Sequence, residues 1–126
     1  MLVHGAFADS SSWDGVVKRL KKDGYPVVAA ANALRGVSSD AASVRALLAG
    51  IDGPVVLVGH SYGGAVITNA AHGSGEVKAL VYADAFLPDK GENVNKPASK
   101  FPGSVIAGVL RPVPITNPDG SEAVDF

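Results

Sequence analysis

The clearest capacity for chemistry in this sequence lies in Gly59-His60-Ser61-Tyr62-Gly63. A serine hydroxyl is a weak nucleophile unless its setting exposes and activates it. Glycines two before and two after the serine permit a turn too tight for side chains, which leaves the hydroxyl clear of both flanking elements. A serine placed there, at the start of a helix, also meets the positive end of the helix dipole. That end favours the charge that develops when the serine attacks a carbonyl. Ser61 is therefore the candidate nucleophile. The bare pattern is weak in a chain with 15 glycines among 126 residues, and the plain alternative is a glycine-bounded turn with an idle serine.

The flanking elements favour the nucleophile. Val55-Val56-Leu57-Val58 runs without a polar break, as expected of a parallel strand buried on both faces, and Ala65 to Ala71 can be helical. Upstream, Leu2-Val3 ends a short strand that runs into the loop His4 to Asp9. Ser10-Ser11-Ser12, with Asp14, offers a cap to a helix whose Trp13, Val16, Val17 and Leu20 form one apolar stripe. Lys18, Arg19, Lys21 and Lys22 fall in its last turns and read as a solvated face, and Gly24 ends it. Pro26 to Ala31 reads as a second strand. Ser38-Ser39-Asp40 caps a second helix with Val44, Leu47, Leu48 and Ile51 on its stripe, and Val77 to Asp84 is a fourth strand. Strands alternating with helices over short connections specify a parallel sheet, hence a three-layer αβα fold. From Phe86 onward prolines interrupt every element. Val105 to Leu110 is the one apolar run, read as a short helix or part of a cap, and the tail after Arg111 reads as irregular.

Composition excludes several classes. The chain is 47% hydrophobic and 18% charged with a net charge of −1, which argues against nucleic acid or an anionic membrane as partner. Cysteine is absent, so thiolate chemistry and disulfides are excluded. No apolar run is long enough for a membrane span, and Met1 opens directly into Leu2-Val3-His4-Gly5, so a cytoplasmic location is expected. Three scattered histidines at no ligand spacing give no metal set, and no cofactor is expected.

Val3-His4-Gly5-Ala6-Phe7 before a Trp13-bearing helix, and Gly59-His60-Ser61-Tyr62-Gly63-Gly64 after a strand, resemble the α/β-hydrolase fold. The likeness is greatest to its small esterases, with plant methylesterases and hydroxynitrile lyases as relatives. Leu80 to Pro88 is similar to the strand and loop that follow the nucleophile helix in that branch. The resemblance implies a carboxylic-ester hydrolase of small substrates, with Ser61 as nucleophile and the backbone N–H groups of Ala6 and Tyr62 as the oxyanion hole. It also implies strands in the spatial order second, first, third, fourth. Residues 1–95 would form the amino-terminal part of the hydrolase core, and residues 96–126 an irregular start of a cap or a partly disordered tail.

The family pattern departs where its acid and base should follow later strands, in the order Ser, Asp, His. Nothing similar follows Tyr82, so the chain resembles the amino-terminal portion of a hydrolase. Asp84 is the best acid present, though a loop-capping carboxylate is its plainer reading. His4 is expected to hold the oxyanion loop, His60 to point away from Ser61, and His72 to lie about 16 Å beyond it by helix rise. Three readings compete. The chain is a hydrolase whose histidine lies outside these residues, a catalytically silent remnant that binds a ligand or partner, or a subunit completed by another chain. A homo-oligomer through exposed sheet edges fits the last.

Overall fold

A computed structural model describes residues 1–89, 92, 103 and 105–125 of the chain. Its centre is a four-stranded parallel sheet in the order β2-β1-β3-β4, the expected second, first, third, fourth. The strands are β1 (Leu2–Val3), β2 (Ala29–Ala30), β3 (Val55–Ser61) and β4 (Val77–Ala85). Helix α1 (Asp14–Lys22) joins β1 to β2, α2 (Val37–Leu48) joins β2 to β3, and α3 (Tyr62–Ala71) joins β3 to β4. β3 is interior, and it pairs with β1 through Leu2–Val58 and Val3–Gly59. The arrangement is three-layer αβα, a partial α/β-hydrolase fold.

One face of the sheet carries the core. Val3, Ala30, Val55 and Leu57 pack against Ala41, Val44 and Leu48 of α2 and Val66, Ile67 and Ala70 of α3. Side chains alternate along a strand, so Val56 and Val58 fall on the other face. There Val56 is 47% exposed whereas Leu57 is fully buried. The expectation that Val55–Val58 is buried on both faces is therefore corrected. The α2–α3 layer covers one face, whereas the opposite layer reaches the β2 side through a 3₁₀ turn (Ser10–Trp13) that leads into α1. Val81 of β4, beside Val58, is exposed as well.

Local signals misplaced several boundaries. Asp9, not a serine, caps the 3₁₀ turn, accepting from the Ser11 N–H at 2.8 Å. Gly36, in the left-handed region at φ 125°, occupies the cap position of α2, which moves Ser38, Ser39 and Asp40 into the first turn. The second strand shrinks to two residues because β1, its partner among the described residues, has only two to offer. The apolar run Val105 to Leu110 holds the expected short helix, α4 (Ile106–Val109), whereas the tail after Arg111, read as irregular, contains an antiparallel hairpin of β5 (Val113–Thr116) and β6 (Glu122–Asp125). The Asn117-Pro118-Asp119-Gly120 turn closes it, with Gly120 at φ 82° and its N–H donating to the Asn117 carbonyl at 2.9 Å. The expected boundary near residue 95 lies outside the described residues.

This one-sided burial has a measurable consequence. Leu57→Ala is expected to cost about 3 kcal/mol of unfolding free energy, whereas Val56→Thr, one residue away, should stay within about 0.5 kcal/mol. Urea unfolding of both variants checks the asymmetry, and similar losses would refute it.

Candidate active site

Ser61 ends β3 and immediately precedes α3, with φ 51° and ψ −124°. A non-glycine residue in this region is strained, and such strain persists only where the surroundings over-determine it. The surroundings here are backbone. A Cβ on Gly59 would lie 2.6 Å from the Gly63 carbonyl oxygen. One on Gly63 would meet the Val3 carbonyl, and one on Gly64 the Phe86 carbonyl. The Phe86 N–H donates to the Ser61 carbonyl at 3.0 Å. The glycines thus let β1, β3, α3 and the segment after β4 converge on the turn that holds the serine.

The loop after β1 lies directly on Ser61, since a Cβ on Gly5 would come within 2.7 Å of Ser61 Cβ and 3.2 Å of its Oγ. His4, 2% exposed, anchors this loop. Its Nε2 accepts the Asn32 N–H at 2.9 Å, so that nitrogen carries no proton. The proton is assigned to Nδ1, which stands 2.9 Å from the Gly5 carbonyl. The Asn32 side-chain amide also donates to the His4 carbonyl, at 3.3 Å. Beyond Ala6 the chain turns through Phe7 at φ 62°. Ala6 and Tyr62, the residues expected to supply oxyanion N–H groups, both line one cleft of about 510 Å³.

Phe7, Ala8, Asp9, Leu34, Gly36, Val124 and Asp125 complete the cleft wall. Phe7 is 67% exposed and offers an aromatic surface there. The hairpin is drawn to the cleft by an ion pair, Arg35 Nη1 to Asp125 Oδ2 at 2.8 Å. Hydrogen bonds from Ser11, the side-chain hydroxyl foremost, hold the Asp9 carboxyl below its ordinary range, so it stays ionised. Tyr62 donates its hydroxyl to Asp40 Oδ2 at 2.8 Å. Burial, and then that hydrogen bond, raise the Tyr62 phenol above its ordinary value.

The other candidates scatter. His60 is exposed on the face of β3 shared with Val56 and Val58. His72 caps the far end of the ten-residue α3, about 16 Å away by helix rise, beside a separate depression with Arg45 and Glu76. Asp84 is exposed and sits in the left-handed region at φ 47°. It is the extra residue of a bulge, between the pairs His60–Ala83 and Ser61–Ala85. It therefore stands at the same sheet end as Ser61. Among the described residues no group of side chains could hold a metal ion, and no helix is long and apolar enough to cross a membrane.

A model of the alpha/beta hydrolase family matches residues 1–123. The chain belongs to that family. This α/β-hydrolase chain is 32% identical over 107 residues to the carbendazim hydrolyzing esterase of Nocardioides sp. (strain SG-4G), covering 75% of this chain and 44% of that protein. It also superposes, at a TM-score of 0.64 and 26% identity, on an extracellular α/β-hydrolase from a Paenibacillus species. That protein is described as sharing structural and functional homology with tobacco salicylic acid binding protein 2. The superposition covers 78% of this chain and 47% of that one. The chain thus spans less than half the length of each relative.

Asp40, Asn32 and the hairpin wall of the cleft escaped the sequence reading. An aspartate in a first helical turn looks like an ordinary cap, and nothing local joins it to Tyr62, 22 residues on. Two outcomes follow from this geometry. Gly63→Ala should destabilise the chain by about 1–3 kcal/mol in urea, because backbone rather than a movable side chain opposes the new Cβ. Tyr62 keeps its proton in the folded state to higher pH than in the unfolded chain. Its stabilisation is therefore intact below about pH 10 and lost as pH climbs past that value. Unfolding midpoints at about pH 9 and pH 11 should fall further for the wild type than for Tyr62→Phe, and equal falls would contradict the assignment.

Proposed function

We propose that the chain carries the nucleophile and oxyanion half of a serine hydrolase acting on small, fairly apolar carboxylic esters. The observation that carries this reading is Ser61 in a strained strand-to-helix turn, its Oγ against the backbone of the His4-Gly5-Ala6 loop. In this mechanism Ser61 Oγ attacks the ester carbonyl. The N–H groups of Ala6 and Tyr62 stabilise the tetrahedral oxyanion, the alcohol leaves, and water hydrolyses the acyl-enzyme. The cleft wall of Ala6, Phe7, Ala8, Leu34 and Val124 supports an apolar substrate. The esterase named among its relatives supports the ester class. Residues 1–95 then serve as the amino-terminal part of the core, with the remainder contributing to a cap.

Proton transfer requires a base within hydrogen-bond reach of Ser61. Both ring nitrogens of His4 face partners of their own, His60 projects from the sheet face, and His72 is a helix length away. The histidine of the triad therefore comes from outside the described residues, and among the described residues Asp84 at the bulge is a candidate for its acid partner. The same commitment of His4 favours a second reading, a catalytically silent chain that binds a small ester or a partner in the cleft.

Hydrolysis of p-nitrophenyl acetate separates the two. The 126-residue chain is expected to turn over only at a trace rate, since loss of a triad member typically costs about 10⁴–10⁶-fold. Ser61→Ala should change that trace little, but should abolish turnover in a form extended to the relatives' length. An extended form that binds the ester without Ser61-dependent turnover would establish the silent reading. Robust activity of the short chain, lost in Ser61→Ala and in His4→Ala, would instead make His4 the base.

A further inference from the structure

Asp40 is a buried carboxylate that the hydrolytic scheme leaves unused. It is 1% exposed and stands in the first turn of α2, where the helix dipole favours its charge. Its Oδ1 accepts the Arg35 N–H at 3.2 Å, closing the turn through Gly36 that opens the helix. Its Oδ2 accepts the Tyr62 hydroxyl at 2.8 Å. A carboxylate is costly to bury, and two well-placed donors with a helix dipole are what make it tolerable.

Tyr62 is the residue after Ser61 and the first of α3. Glycine contacts hold the elbow on the side of β1 and β4, through Gly63 on Val3 and Gly64 on Phe86. The Tyr62 phenol ties it to α2 through Asp40. We propose that Asp40 is a positioning residue of the nucleophile elbow: by fixing the Tyr62 side chain it sets the direction of the Tyr62 backbone N–H. The inference rests on the reading that this N–H stabilises an oxyanion. The same tie joins the cleft wall at Gly36 to the elbow through Asp40.

Two readouts on the full chain test this. The first is the rate at which an alkyl fluorophosphonate modifies Ser61, followed by intact mass with Ser61→Ala as blank. The second is the ¹⁵N relaxation and amide proton shift of residue 62. Tyr62→Phe and Asp40→Ala are expected to slow modification roughly tenfold or more and to loosen the residue-62 amide. Asp40→Asn, whose oxygen can keep the Arg35 N–H while its NH₂ donates to the Tyr62 hydroxyl oxygen, should restore both in large part. General destabilisation would not produce that rescue at matched folded fraction. Should Asp40→Ala fail to fold, Tyr62→Phe carries the test alone. If Tyr62→Phe reacts at the wild-type rate with an unchanged amide, the proposal is overturned. If the wild type is not modified at all, as expected of a serine without its base, the hydrolytic reading stands or falls on the extended form, while a loosened amide in Tyr62→Phe still upholds the positioning role and an unchanged one refutes it.

Discussion

The fold turns on how closely four backbone segments approach at the end of β3. Gly59, Gly63 and Gly64 each sit where a Cβ would strike a backbone oxygen, from Gly63, Val3 and Phe86 respectively. Because no side chain intervenes, α3 starts directly against β1 and against the segment leaving β4. That contact holds Ser61 at a positive φ it would not adopt alone. Strain at one residue is thereby spread over backbone contacts that have little freedom to relax.

The loop after β1 depends on the same approach. Gly5 can lie on Ser61 only because it lacks a side chain, and His4 then secures the loop through bonds to Asn32 and Gly5. Both ring nitrogens of this buried histidine are thereby committed to the backbone. Its ring is a structural bracket between β1 and the turn after β2, and drawing a nitrogen out to Ser61 would leave the Asn32 N–H unpaired in a buried place.

Burial is uneven in a way that matters for association. Leu57 and Val55 are sealed under α2 and α3, whereas Val56 and Val81 stay exposed on the opposite face. Exposed valines in adjacent strands of one sheet face are sites where further protein surface can be buried.

The sequence by itself determined the elbow, the His4-Gly5 loop and the alternation of strands and helices that specifies a parallel sheet. These are local patterns, written within a few residues and governed by steric freedom and side-chain period. Strand order agreed with the family resemblance rather than with any periodicity. Only the tertiary structure decided the pairings that span long separations: Asn32 on His4, Tyr62 on Asp40, and Asp125 on Arg35 across 90 residues. It also decided which face of β3 is covered, because an apolar run reads the same whether one layer or two lie over it. The hairpin of β5 and β6 was hidden for a related reason. Pro114 and Pro118 argue against a strand in isolation, yet Pro114 is tolerated in a two-stranded ribbon, where each strand is an edge, and Pro118 lies in the turn. Chain-local physics chose the turn that presents a serine, and long-range contacts chose what surrounds it.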